Sequence, residues 1–239
     1  MGETFRVEMD LPEYESMRPY LQVCMYDPKY PERIPACLTD RKGDFGIYYT
    51  IRFGTAGEEI IQIPITETML QRWQISKEQL HKDAMDAGRN HGPVFTSGEN
   101  MISSLLFKKK PENYFDTGLD KLDPMEPMYC LTNQEGIFGA SLILDDALLE
   151  RIGTILKSDY YVLPSSVHEV MIVPKNSMIN LEDIKNMVHE INEAEVPEEI
   201  RLPENIQVYD RRERKLENAL EHENKIQKPE RSKKKEKKR

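Results

Sequence analysis

Tyr160-Tyr-Val-Leu-Pro-Ser-Ser-Val-His-Glu-Val-Met-Ile-Val-Pro174 sets two short runs of β-branched and aromatic residues around a small polar corner. Such runs favour extended backbone, and the Pro-Ser-Ser break favours a tight reversal. The stretch therefore predicts strand, turn, strand over Asp159–Leu163 and Val167–Val173. Val170-Met-Ile-Val173 is apolar at every position, the pattern of a central strand covered on both faces. The corner also gathers Ser165, Ser166, His168 and Glu169, a compact grouping of groups that can carry chemistry.

Working outward, Asn180 predicts the cap of a following helix, with Ile179 and Ile184 as its hydrophobic staple. Ile206–Tyr209 reads as a last strand. On the other side, Met128–Thr132 predicts a strand, Asn133-Gln-Glu-Gly136 a turn and Ile137–Leu144 a returning strand. Asp145 then caps a helix with the stripe Leu148, Ile152, Ile155 and Leu156. The same plan occurs earlier: Ile47–Phe53, a turn at Gly54–Gly57, a return at Glu59–Ile65, and a helix capped by Thr66. Aligning Ile63–Trp73 with Leu142–Ile152 brings cap, apolar pair and arginine into step, which suggests an internal duplication. Ser76 with Gln79 forms a capping box, and Gly88 reads as the glycine that ends that helix.

The expected class is α+β, a mainly antiparallel sheet with packed helices and two similar strand-turn-strand-helix halves. Residues 1–17 are read as an irregular start and 18–210 as the domain. Its halves are 18–93 and 127–210, joined by a 94–126 connector that includes a short amphipathic helix over Glu99–Phe107. Residues 211–239 are read as a charged tail, disordered or helical.

The 239 residues carry a net charge of −9, but Lys228–Arg239 alone holds eight basic and two acidic residues. Subtracting that +6 leaves −15 on the preceding 227 residues, which disfavours nucleic-acid binding by the body. No window is apolar enough to span a bilayer and the start lacks a signal peptide's apolar core, so no membrane association and a cytoplasmic setting are expected. Cys24, Cys37 and Cys130 are widely spaced and odd in number, and the five histidines show no ligand spacing. The expectation is buried thiols, no metal and no cofactor.

Ser165 or Ser166 with His168 would form a nucleophile–base pair if geometry allowed it. In an extended segment Ser166 and His168 share a face and Glu169 points away, so the acid would come from Asp145 or Asp146. The alternative is a serine turn with His168 meeting a backbone group. Asn133 is a candidate ligand contact, though an Asn–Gly turn explains itself. Lys233, Lys234, Lys235, Lys237, Lys238 and Arg239 are candidate contacts to nucleic acid or an acidic partner.

Several of these residues carry a resemblance. Leu131-Thr132-Asn133, Gly136, Gly139-Ala140, Leu163-Pro164-Ser165-Ser166 and His168-Glu169-Val170, together with the Ile65–Leu80 segment, resemble a bacterial domain-of-unknown-function family common in gut clostridia. They are more distantly similar to the YtpQ-like proteins of bacilli. The likeness covers roughly residues 18–210. It implies a bacterial cytoplasmic α+β protein with no established activity, and a missing initial segment, because such members are usually longer at the N-terminus. The favoured reading is a non-catalytic interaction module with an unknown protein partner. The alternatives are a hydrolase or transferase using the Ser/His pair, and weak nucleic-acid association through the tail. An interaction module predicts an exposed apolar patch within 94–126.

Overall fold

The computed structural model describes residues 12–56, 59–117 and 126–226. After a short helix, α1 (Tyr14–Met17), strands β1 (Leu21–Tyr26) and β2 (Thr39–Lys42) lie on opposite edges of the long β3 (Phe45–Ala56). β4 (Glu59–Pro64) continues beyond β2 along the same edge. All pairings are antiparallel. Period-two alternation sends Phe45, Ile47, Tyr49 and Ile51 to one face of β3 and Tyr48, Thr50 and Arg52 to the other. Both sets are buried. The β3–β4 register slips between Arg52 and Gly54, a bulge in which Gly54 takes φ 138°, a value suited to glycine.

Helices α2 (Glu67–Trp73) and α3 (Lys77–Asn90) follow. The Thr66 hydroxyl accepts from the Met69 N–H and that of Ser76 from the Gln79 N–H, the caps expected from the sequence. Gly88 does not end its helix, which runs on to Asn90.

The second sheet is built from β5 (Pro93–Ser97), then, beyond helices α4 (Gly98–Phe107) and α5 (Tyr114–Thr117), β6 (Tyr129–Asn133). Helix α6 (Asp146–Leu156) precedes the hairpin of β7 (Tyr160–Pro164) and β8 (Val170–Pro174). Helix α7 (Leu181–Glu195), β9 (Gln207–Asp210) and β10 (Lys215–Asn218) complete it, and the antiparallel order is β10-β9-β7-β8-β6-β5. The opening hairpin lies at its centre. Tyr160, Val162, Val170 and Ile172 enter the main core, which also takes in Ile47, Tyr49, Phe95, Ile152 and Tyr209. Tyr161, Leu163 and Val173 enter a smaller core with Ile184 and Val188 of α7. Covering on both faces, inferred from the unbroken apolar run, is what the hairpin shows.

The α+β class and the antiparallel pairing hold, whereas three finer readings are corrected. Gly139–Leu144 is a 3-10 turn rather than a returning strand, so the second half does not repeat the first. Phe138, in the left-handed region at φ 55°, turns the chain, and Ala140, Leu142 and Ile143 are buried without pairing. The segment read as a connector supplies β5, an edge strand of the sheet, because Val94 and Phe95 are core residues. The tail begins later than expected: β10 pairs with β9 and residues 219–226 are helical. The basic candidates Lys233 to Arg239 lie outside the described residues.

Glu217 fastens that last helix to β10. Its carboxylate accepts from Lys225 Nζ at 2.6 Å and meets His222 Nδ1 at 2.7 Å. The hydrogen bonds from Lys225 and then His222 draw its pKa from 4.5 down to about 2. A depressed carboxylate pKa stabilises the fold above the unfolded value and loses that effect as pH falls through the folded one. Chemical unfolding between pH 7 and pH 2 should therefore show wild type more stable than Glu217→Gln above about pH 4.5, with the gap closing near pH 2.

Candidate functional site

Residues 165–169 form a turn, and its polar side chains face inward on one another. Ser166 Oγ donates to Glu169 Oε1 at 2.7 Å and accepts from the backbone N–H groups of His168 (3.1 Å) and Glu169 (3.4 Å). A serine closing a turn in this way satisfies local backbone donors. His168 Nδ1 accepts the Phe138 N–H at 3.2 Å, which fixes the ring proton on Nε2 in the neutral form. Ser165 and Ser166 are buried, and their segment pairs with 200–202 through Leu202 N–H to Ser165 O and Val167 N–H to Ile200 O.

This geometry overturns the expected disposition. Glu169 folds back onto Ser166 instead of pointing away, because the segment turns rather than extends. The ring nitrogen of His168 that would serve as base is occupied by a backbone donor. Asp145 is also committed elsewhere: Oδ1 caps α6 through Ala147 and Leu148, and Oδ2 accepts from Arg89 Nε at 2.5 Å.

The loop that meets this corner is the one carrying Asn133. Its Oδ1 accepts from the Glu135 and Ile137 N–H groups, and its Nδ2 donates to the Ile137 carbonyl at 2.7 Å. Asn133 thus shapes the loop from inside. Thr132 Oγ1 donates to the His168 carbonyl at 2.9 Å, so loop and corner form one knot. Of the residues quoted for the family resemblance, Thr132, Asn133, Gly139, Ser166, His168 and Glu169 come together here, whereas the Ile65–Leu80 segment forms α2 and the start of α3.

Beyond the knot, Glu135 reaches the first sheet and pairs with Arg52, whose side chain is 6% exposed. His91 Nδ1 lies 3.8 Å from the other Glu135 oxygen. Neither Arg52 nor His91 was a candidate from sequence. The available signal was an arginine inside the apolar run Ile47–Phe53.

Two further surfaces stand out. A groove of about 880 Å³ lies between α7, the 27–33 loop and residues 204–206, with Arg33 paired to Glu198 and Arg201 to Glu193 across it. None of Ser165, Ser166, His168 or Glu169 lines it. On α4, Ile102, Leu106 and Phe107 are 61%, 73% and 67% exposed, far beyond what core-facing residues show. Lys108, Lys109 and Lys110 follow directly, and Lys109 Nζ sits 5.7 Å from the centre of the Phe107 ring. Among the described residues no group of three or more His, Cys, Asp or Glu is placed to hold a metal, and no helix is long and apolar enough to cross a membrane.

Two packed antiparallel sheets, a polar corner tied to backbone and an exposed apolar helical ridge make up this α+β protein. The chain belongs to the family of unknown function DUF5688, whose model matches residues 10–211. No curated protein and no solved structure matches it.

Two outcomes test the knot. A Cβ at Gly139 would sit 2.6 Å from the His168 carbonyl oxygen and 2.6 Å from Thr132 Oγ1. Gly139→Ala should cost about 1–3 kcal/mol by urea denaturation, since the backbone of the corner must shift. Burial pushes the pKa of His81, His91 and His168 below 6.5, so above that pH their neutral forms support the fold. As pH drops below 6.5 the unfolded chain gains protons first and stability falls. Between pH 7 and pH 5, His168→Gln should show a shallower fall than wild type.

Proposed function

We propose that this protein is a non-catalytic interaction module of the bacterial cytoplasm, and that its partner is a protein with an apolar groove edged by carboxylates. The ridge of Ile102, Leu106 and Phe107 carries this reading. The i, i+4 spacing of Ile102 and Leu106 presents one helical face, the form in which helices enter grooves. Exposed large apolar side chains that cluster in this way mark contact surfaces. Lys108–Lys110 at the end of the ridge suit an acidic rim and would speed encounter. The location inside 94–126 agrees with the sequence expectation for an interaction module.

The thiols support a reducing compartment. Cys24, Cys37 and Cys130 are free, and burial pushes Cys24 and Cys130 up to about 12, which leaves them unreactive. In this reading the basic run after Gln227 adds an electrostatic tether to the partner, and the likeness to YtpQ-like proteins belongs to the same picture.

The test is a photo-cross-linker placed at Leu106 in cells, compared with the same protein carrying Ile102→Ser and Phe107→Ser. The expected result is one cross-linked protein species whose yield falls about ten-fold in the variant. Melting temperature should be nearly unchanged, as exposed substitutions move stability by only about 0.5 kcal/mol. A cross-link that persists in the variant, or a large loss of stability showing that the chain itself covers the ridge, would overturn the proposal.

A further inference from the structure

Arg52 is the most deeply buried cation of the first sheet, and most of its donor capacity is unused. Nη2 is paired with Glu135, while Nε and Nη1 are buried with no partner among the described residues. A guanidinium presents five N–H groups in a fixed fork, so a single contact leaves it strongly under-satisfied. Its neighbours share the deficit. Gln62 stands directly opposite Arg52 on β4, and Gln22 stands opposite Thr50 on β1, on the same face of the sheet. Oε1 of each glutamine is buried and unpartnered, as is Nε2 of His91. Of the eight such side-chain atoms among the described residues, five belong to these four residues, so the deficit is local rather than scattered.

Interiors seldom leave polar atoms unpaired, and a cluster of such atoms on one face calls for an explanation, a bound ion or ligand among them. The unpaired set has a definite chemistry: charged donors on one side and amide acceptors on the other. Its mouth is Glu135, whose side chain is 44% exposed. The backbone of that turn is held by Asn133, so only the glutamate side chain has to rotate for the guanidinium to become accessible. Once it does, the buried guanidinium is left without its counter-charge, which is costly unless another anion takes that place. The bulge after Arg52 adds a local twist of the kind that re-aims a side chain at binding sites.

We propose that Arg52 is the receptor for an oxyanion on a small polar molecule, a carboxylate or a phosphate, which enters by displacing Glu135. Gln22 and Gln62 then accept from hydroxyl or amino groups next to that oxyanion, and His91 contributes the remaining ring contact. Glu135 is the resident stand-in for the ligand's own anionic oxygens.

The experiment uses the full chain with acetate and inorganic phosphate as probes, each titrated at constant ionic strength. Glu135→Ala should melt below wild type, and one of the probes should restore its melting temperature saturably, with the His91 ring resonances shifting in parallel. Restoration by acetate marks a carboxylate site and restoration by phosphate a phosphoryl site. In wild type the same probe should act about ten-fold more weakly, because Glu135 competes for the guanidinium. Arg52→Lys in the Glu135→Ala background should abolish the effect, since a point charge cannot reproduce the fork. The proposal is overturned if neither probe acts saturably on Glu135→Ala, if the Arg52→Lys background responds equally, or if a crystal grown at saturating probe shows only water at Nε and Nη1.

Discussion

A charge inside a protein must be neutralised where it lies, and in this fold that requirement falls on Arg52. The guanidinium belongs to the first sheet and its carboxylate, Glu135, to a loop of the second. For Glu135 to arrive at the right place, the turn carrying it must have a defined shape. Asn133 supplies that shape by bonding two backbone N–H groups and one carbonyl of its own loop. The loop in turn must rest against something fixed, which is the corner of the central hairpin through Thr132, Gly139 and Phe138. Ser166, His168 and Glu169 are therefore best understood as the far end of a chain of constraints that begins with one buried cation. Ser166 and Glu169 bond one another and the local backbone, and with His168 they brace the joint between the two sheets.

Much of the fold was legible because local signals agreed with the tertiary result. The four caps at Thr66, Ser76, Asp145 and Asn180 all bond as their sequence context indicates, since capping is decided within three or four residues. The β7–β8 hairpin was equally readable, because both faces of its strands carry apolar side chains. The 139–144 segment failed for the opposite reason. A short buried apolar run satisfies strand and 3-10 geometry alike, and the choice was made by Phe138 in a left-handed conformation and by close packing at Gly139. β10 was hidden by its charge: Lys215 and Glu217 look like tail, yet an edge strand needs only Leu216 and the ladder to β9.

The candidate chemistry was less legible than the fold. Sequence proximity placed Ser166, His168 and Glu169 together, and they are together, with their hydrogen bonds directed at one another and at local backbone. The pairing of Arg52 with Glu135 joins residues 83 positions apart. No spacing rule reaches that far, and the only trace was a cation in an otherwise apolar strand. The ridge on α4 lay between these extremes. Its apolar residues were visible as a helical stripe, but which edge of the stripe faces water depends on how the helix leans on β5 and β6, and that is settled only in three dimensions.

The strand β7 divides the interior in two. Its even-numbered residues Tyr160 and Val162 belong to the large core, and its odd-numbered residues Tyr161 and Leu163 to the small one under α7. Among the described residues these are two separate clusters of buried apolar side chains, one on each face of the sheet. Free energies of opening scale with the contacts that must be broken, so α7, packed on the smaller cluster, is expected to exchange its amides ahead of the strands in the main core. A loosening of α7 would then leave the joint between the sheets closed, a hierarchy of opening that follows from the alternation of a single strand.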